Sequence, residues 1–360
     1  MTIKTLAVPP LYTPFPTAHH RLDSASIDAL VLPELVAIGL LEPDHPLTRS
    51  RTGDWAAFCF PTVPDDRLLM LAAMSYWSFV WDDATTRGPL VAGPRKAAEA
   101  GRVVQSILYP EEPALSDAPW IRGVRHLMTK TRAMSSPTQW QRVADCLVSY
   151  IVSDLWCHGL SYGKELPSLY EAMLMRGENS MRSWALGLLP WIYDFELSPS
   201  EMNDPIVLVG IRLGGVVVGL DNELSSRYHE VAEKHVNALD VLRHQHQCDD
   251  DEAAIRLVRI RDQVMCLYLR AVDLIRDQGT PAQIQTVEAM APIIRGTTDW
   301  GMETMRYTHD LTDPDTGKAA PPMAAPAITY STTPMAGLDD PPLVAEMAWM
   351  WQSLHLKVPA

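Results

Sequence analysis

The chain has 360 residues, 47% of them apolar, enough for one large or two ordinary domains. Its net charge of −14 argues against nucleic acid or an anionic membrane as a partner. It leaves open an anionic substrate held through bound cations, whose charge dominates a local field.

Residues 1–24 are rich in proline and read as an extended cap segment. Helical periodicity then covers roughly 25–41, 65–83, 92–109, 118–163, 168–195, 204–230, 232–247, 250–278 and 280–309. Pro64-Asp65-Asp66 and Asp204-Pro205 read as helix starts, with a capping acid next to proline. A break near Gly177 to Ser180 divides the 168–195 segment. From 311 to 341 Pro, Gly, Ala, Thr and Asp predict a flexible loop, and 342–355 a last amphipathic helix docked on the body. The Val/Ile/Thr alternation of strands is scarce, so an all-α fold is expected. The division is 1–24 as cap, 25–310 as a single helical domain, and 311–360 as a tail. Five cysteines without Cys-x-x-Cys spacing predict reduced thiols and a cytoplasmic protein. Neither a signal-peptide pattern nor a long, clean apolar span is read, so membrane insertion is not expected.

Two motifs carry chemistry. Asn222, Ser226 and Glu230 are spaced i, i+4, i+8, which places an amide, a hydroxyl and a carboxylate on one helix face. Hard divalent cations such as Mg²⁺ take such oxygen ligands. The preceding run, Ile206 to Leu220, is almost wholly apolar, an odd setting for polar groups unless something satisfies them. Upstream, a long apolar segment from Leu68 ends in Asp82 and Asp83. Two acids at a helix C-terminus oppose its dipole unless a cation is present.

Together these motifs resemble the two metal-binding motifs of class I terpene synthases, the bacterial-type cyclases in particular. Further matches follow in order: Phe60-Pro61, Trp77 and Phe79 before the acids, Pro167 before Arg176, and Trp300 with Arg306-Tyr307. The opening Val-Pro-Pro-Leu-Tyr-Thr-Pro-Phe-Pro is similar to the family's N-terminal cap. There are three departures. Thr86 stands where the aspartate-rich motif ends in an acid, Glu223 replaces the usual Asp after Asn222, and His229 stands where many relatives carry Lys or Arg.

The resemblance implies a single-domain α-helical class I terpene synthase (isoprenoid synthase) fold around an apolar active-site cavity. It implies three Mg²⁺ ions, with Asp82, Asn222, Ser226 and Glu230 as ligands. Arg176, Arg306 and Tyr307 would contact diphosphate, with Asn179 and Ser180 as linker and effector at the helix break. Asp83 would bind at the same end or pair with Arg306. His229 is left open between a diphosphate contact and a surface residue. Aromatic faces stabilise cations, and Phe79 and Trp300, then Phe58 and Trp184, are the candidates. Trp77 and Trp81 are expected in the core. The implied activity is Mg²⁺-dependent cyclisation of a linear prenyl diphosphate, farnesyl favoured over geranylgeranyl, to a hydrocarbon or alcohol. The alternatives are a chain-elongating prenyltransferase of the same fold and a catalytically inactive helical binding protein. Homodimerisation is left open.

Overall fold

The computed structural model describes residues 6–86, 93–163, 166–233, 235–308 and 326–355. Apart from one two-stranded pair, its regular elements are helices. Strand β1 (Leu11–Tyr12) leads into α1 (Ser24–Ala37), which starts where the Asp23 carboxylate accepts from Ser26 N. Next come α2 (Thr52–Cys59), α3 (Asp65–Thr86), α4 (Gly93–Leu108), α5 (Pro119–Ala133) and α6 (Pro137–Gly163). The expected 118–163 helix is thus two, parted at Ser135-Ser136 by the proline that begins α6. Helix α2 was not expected; it is only eight residues long, too short for its apolar period to stand out.

Helix α7 (Leu169–Gly177) is capped by Ser168 and passes through a π-helical turn at Glu178–Arg182 into α8 (Ser183–Ile192), so the expected break is present. After α9 (Pro199–Met202) comes α10 (Pro205–Ser225), started by Asp204, whose carboxylate accepts from Ile206 N and Val207 N. The expected 204–230 helix ends at Ser226, and α11 (Arg227–Glu233) continues it. Helix α12 (Ala238–His246) is shorter than its expected 232–247 span, while α13 (Asp250–Gln278) matches closely. The 280–309 segment divides into α14 (Pro281–Glu288), α15 (Met290–Glu303) and a 3₁₀ turn at Met305–Tyr307. Strand β2 (Tyr330–Ser331) and α16 (Ala348–Ser353) close the chain.

Helix α10 runs through the middle, packed on α13, α15 and α7. Its length and hydropathy would suffice for a membrane span, but 72% of that window is buried inside the fold. Gly219 makes one of these contacts possible. A Cβ there would lie 2.9 Å from Arg176 Cγ and 3.2 Å from Gly177 N, so only glycine lets α7 approach this closely. Behind α10, Asp221 forms a buried two-bond pair with Arg261 of α13 (2.8 and 3.0 Å).

The two ends of the chain meet on the far side of that pair. Strand β1 pairs in parallel with β2, Leu11 opposite Tyr330. Asp262 accepts from Tyr12 N at 3.1 Å and Met335 N at 2.7 Å. Part of the expected flexible loop, 311–325, lies outside the described residues, but 326–341 corrects that expectation. This stretch is docked, with Ile328 and Ala336 buried and the Asp340 and Pro341 carbonyls accepting from Gln263. Backbone hydrogen bonding to β1 and to α13 outweighs its loop-like composition. Helix α16 also docks, burying Met350 and Trp351. Trp77 and Trp81 are core residues, as expected.

Candidate active site

One cavity collects most of the expected residues. Asp82, Arg176, Asn179, Ser180, Asn222, Ser226, His229, Glu230, Arg306 and Tyr307 line its polar part, and Phe79, Trp184 and Trp300 its aromatic part. Asp82 of α3 and the triad of α10–α11 therefore face one space.

The triad survives the end of α10. Ser226 is the C-cap, yet Ser226 N donates to the Asn222 carbonyl at 2.8 Å and Glu230 N to the Ser226 carbonyl at 3.0 Å. The i→i−4 bonding continues across the junction, so the three side chains keep a common face. The Ser226 hydroxyl gives its proton to the Asn222 carbonyl at 2.7 Å, which leaves its lone pairs for a cation. The Asn222 side-chain amide nitrogen donates to the Tyr307 hydroxyl at 2.9 Å, so its oxygen is the ligand atom that remains. Glu230 is 5% exposed and accepts from Arg176 and, at 2.6 Å, from the Asn237 side-chain amide. All donors are oxygens, and only Asp82 and Glu230 carry charge; that set suits a hard cation such as Mg²⁺ rather than a thiophilic metal. Among the described residues no cluster of three or more His, Cys, Asp or Glu side chains offers another metal site.

Arg176 is held from two sides, by Glu223 and Glu230, and is 7% exposed. Burial acts to lower its pKa, but the two carboxylates outweigh it and raise the value well above the ordinary one. Burial pushes the Glu223 carboxyl up, against the pull of Arg176. Glu223 also accepts from Ala238 N at the start of α12. The Asp-to-Glu departure thus sits away from the metal face and ties α10 and α12 to Arg176 of α7.

The α3 end is built differently. The helix does not stop at Asp83 as expected but runs on to Thr86. Thr86 is 8% exposed and gives its hydroxyl proton to the Asp82 carbonyl at 2.8 Å, so it is bound to its own helix. Arg306 reaches Asp82 at 2.5 Å and Asp83 at 2.8 Å. Asp83 is not on the cavity wall and meets the site through Arg306. Burial pushes the Tyr307 phenol up to about 12, so it keeps its proton at neutral pH. Behind Asp82, Lys96 and Asp154 form a buried pair at 2.9 Å, and Trp81 donates to Asp154 at 2.8 Å.

One expectation is corrected, and one choice left open is narrowed. Phe58 is not a wall residue: its ring meets His19 edge-on at 4.7 Å, and its backbone abuts Gly296. The helix turn that carries Phe58 away from the cavity brings Trp55 into it. His229 is no surface residue; it is 4% exposed, on the wall, with its ring 5.7 Å from that of Tyr307. Sequence reading missed Trp55, Tyr150 and His235, all of which line the cavity. Trp55 and Tyr150 close on Trp184 edge-to-face, at 6.4 and 5.8 Å. His235 packs on His158, ring centroids 5.1 Å apart, and neither Nε2 has a hydrogen-bond partner among the described residues. No local signal marks these three, since they come from separate helices and segments.

The arrangement puts metal-type oxygen ligands, diphosphate-type donors and aromatic rings around one pocket. Comparison with known proteins agrees. Residues 73–265, more than half of the chain, match the model of terpene synthase family 2, C-terminal metal binding. The chain belongs to this family of metal-binding class I terpene synthases. Bonnadiene synthase of Allokutzneria albata is 25% identical over 97% of this chain and 99% of that protein. Spiroviolene synthase of Streptomyces violens is 24% identical over 99% and 100%. The crystal structure of SVS_A2, a protein from ancestral sequence reconstruction, superposes with a TM-score of 0.82 at 22% identity, covering 97% of this chain and all of that one.

Proposed function

We propose that this protein is a Mg²⁺-dependent cyclase of a linear prenyl diphosphate, with farnesyl diphosphate as the favoured substrate and geranylgeranyl diphosphate as the second. The carrying observation is that Asp82 and the Asn222, Ser226 and Glu230 face line the same cavity as Arg176, Arg306 and Tyr307, together with Phe79, Trp184 and Trp300. The relatives that match over nearly the whole chain are named as terpene synthases, which supports the same reading.

In this reading Asp82, Asn222, Ser226 and Glu230 hold the metal, with three Mg²⁺ ions as the full complement. Bound Mg²⁺ would neutralise the diphosphate and act as a Lewis acid on the leaving group. Arg176, Arg306 and Tyr307 donate charge-assisted or hydroxyl hydrogen bonds to the diphosphate oxygens. They are held in place for this by present partners: Arg176 by two glutamates, Arg306 by the α3 acids, and Tyr307 by the Asn222 amide, from which its oxygen accepts while its own O–H is kept to donate. Asn179 and Ser180 sit in the π-helical turn, where the reading places the linker and effector facing the departing group. The buried indoles and the Tyr150 ring exclude water and present π faces to the cation. Trp55 and Tyr150 pack edge-to-face on Trp184 in the cavity wall.

The test is to incubate purified protein with Mg²⁺ and each prenyl diphosphate, measuring diphosphate release and the mass of extracted products. Cyclic products from farnesyl diphosphate, lost on chelation of Mg²⁺, are expected. Release absent with every substrate sinks the reading, and elongated diphosphates would assign the transferase instead.

A further inference from the structure

Just before α12 lies a side chain whose amide is fully committed. Asn237 is 0% exposed and is the N-cap of α12, where its Oδ1 accepts from Leu239 N at 2.8 Å. Its Nδ2 has two hydrogens and two acceptors, the Glu223 carbonyl at 2.9 Å and Glu230 Oε2 at 2.6 Å. These partners fix which way the amide faces. Turned over, it would set its oxygen against a carbonyl and a carboxylate, both acceptors.

Each of the three bonds goes to a different helix. The Glu223 carbonyl lies in the last turn of α10, where helix carbonyls run out of N–H partners along the chain. Leu239 N lies in the first turn of α12, where N–H groups lack carbonyls for the same reason. Serine, threonine or aspartate could also cap α12, but only asparagine carries the two N–H donors that the other bonds use. The bond to α11 is the one that bears on chemistry. Glu230 Oε1 accepts from Arg176 and Oε2 from Asn237, so the carboxylate is held at both oxygens and cannot turn without losing a partner. Arg176 brings a full charge to it, whereas Asn237 brings none. A neutral donor orients a carboxylate and leaves its charge for a cation.

We propose that Asn237 is a positioning residue for metal binding. By donating to Glu230 it holds that carboxylate in the orientation in which it joins Asn222 and Ser226 as a ligand, across the junction between α10 and α11. This rests on the reading of Glu230 as a metal ligand given above.

The experiment compares wild type, Asn237→Ser, Glu230→Gln and the double variant that carries both substitutions. Calorimetry with inorganic diphosphate over a series of Mg²⁺ concentrations gives the Mg²⁺ dependence of binding. Melting temperatures give stability, and turnover of the preferred prenyl diphosphate gives kcat and KM. Serine keeps the cap of α12 and drops the amide donors. Loss of a hydrogen bond to a metal-ligating side chain should cost Asn237→Ser about ten- to a hundredfold in Mg²⁺ affinity. On top of Glu230→Gln, which has already removed the ligand's charge, the same substitution should cost less than about threefold. Asn237→Ser that lowers the melting temperature with wild-type Mg²⁺ dependence overturns the proposal and leaves Asn237 as a cap. Equal losses of Mg²⁺ affinity in both backgrounds overturn it too, since Asn237 would then not act through Glu230. If Asn237→Ser does not fold, Asn237→Thr takes its place, and failure of both assigns Asn237 to the fold alone and overturns the proposal. Wild type that neither binds Mg²⁺–diphosphate nor turns over any prenyl diphosphate overturns the reading of the cavity as well.

Discussion

The two metal-type motifs face one cavity but are built on different principles. At the triad end Ser226 and Glu230 are buried and Asn222 is half-buried, and the partners come from the surrounding body: Arg176 from α7, Glu223 from α10 itself and Asn237 from just before α12. The Asp82 and Asp83 end is partly open, with side-chain exposures of 32% and 19%, and depends on Arg306 from a 3₁₀ turn. The first is part of the core, so changing it should cost stability as well as activity. The second is a closing contact, so changing it should cost activity first.

Arg176→Ala should break this contrast most visibly. It leaves Glu223 and Glu230 buried without their cation, and breaking a buried ion pair costs about 3–5 kcal/mol. Denaturant unfolding should show that loss, while Asp83→Asn at the other end should stay within about 1 kcal/mol. Equal losses would mean that the triad end is no more built into the fold than the acid end.

Gly219→Ala probes the same end through packing alone. The added methyl meets the Arg176 side chain and the Gly177 backbone, and overpacking of this kind costs about 1–3 kcal/mol. Activity should fall along with melting temperature, because α7 carries Arg176. A variant with wild-type Tm and turnover would show that the close approach of α7 to α10 is dispensable.

The boundary between the two ends should respond to acid. Burial first, then the charges of Lys96 and His235, hold the His158 pKa down to about 3. The unfolded chain takes up that proton near pH 6.5. Between about pH 6.5 and 3 the unfolded state binds a proton that the folded state refuses, so stability falls as pH drops through this window and is unaffected above it. Melting temperatures from pH 7.5 to 5 should decline less for His158→Gln than for wild type. Parallel curves would remove His158 as a cause.

The smallest effect belongs to Thr86. Among the described residues its hydroxyl bonds only its own helix, so Thr86→Ala should change stability by less than about 1 kcal/mol and turnover by less than about threefold. A drop of a hundredfold would mean that Thr86 takes part in the metal site despite its backbone bond.

The contrast between the ends also explains what could be read before folding. The triad was legible because i, i+4, i+8 spacing is set by the backbone, and it persisted even though α10 ends at Ser226. The acid pair was legible as a motif, but its helix end was misjudged by three residues because Ala84, Thr85 and Thr86 carry no stop signal. The aromatic wall was only half legible. Phe79, Trp184 and Trp300 are on it, but Phe58 points away and Trp55 takes its place, a difference of three residues on a helix too short to show its own period.

Sequence by itself determined the helical class, the oxygen donors and their order along the chain, because helix period, capping and side-chain chemistry are local. Tertiary structure decided which cation serves which acid. Arg176 meets glutamates 47 and 54 residues away, and Arg306 meets acids 223 and 224 residues away. It also decided that residues 326–341, loop-like in composition, would be fixed by β1 and Asp262. Such partnerships depend on where packed helices bring side chains together in space, and no local pattern encodes that distance.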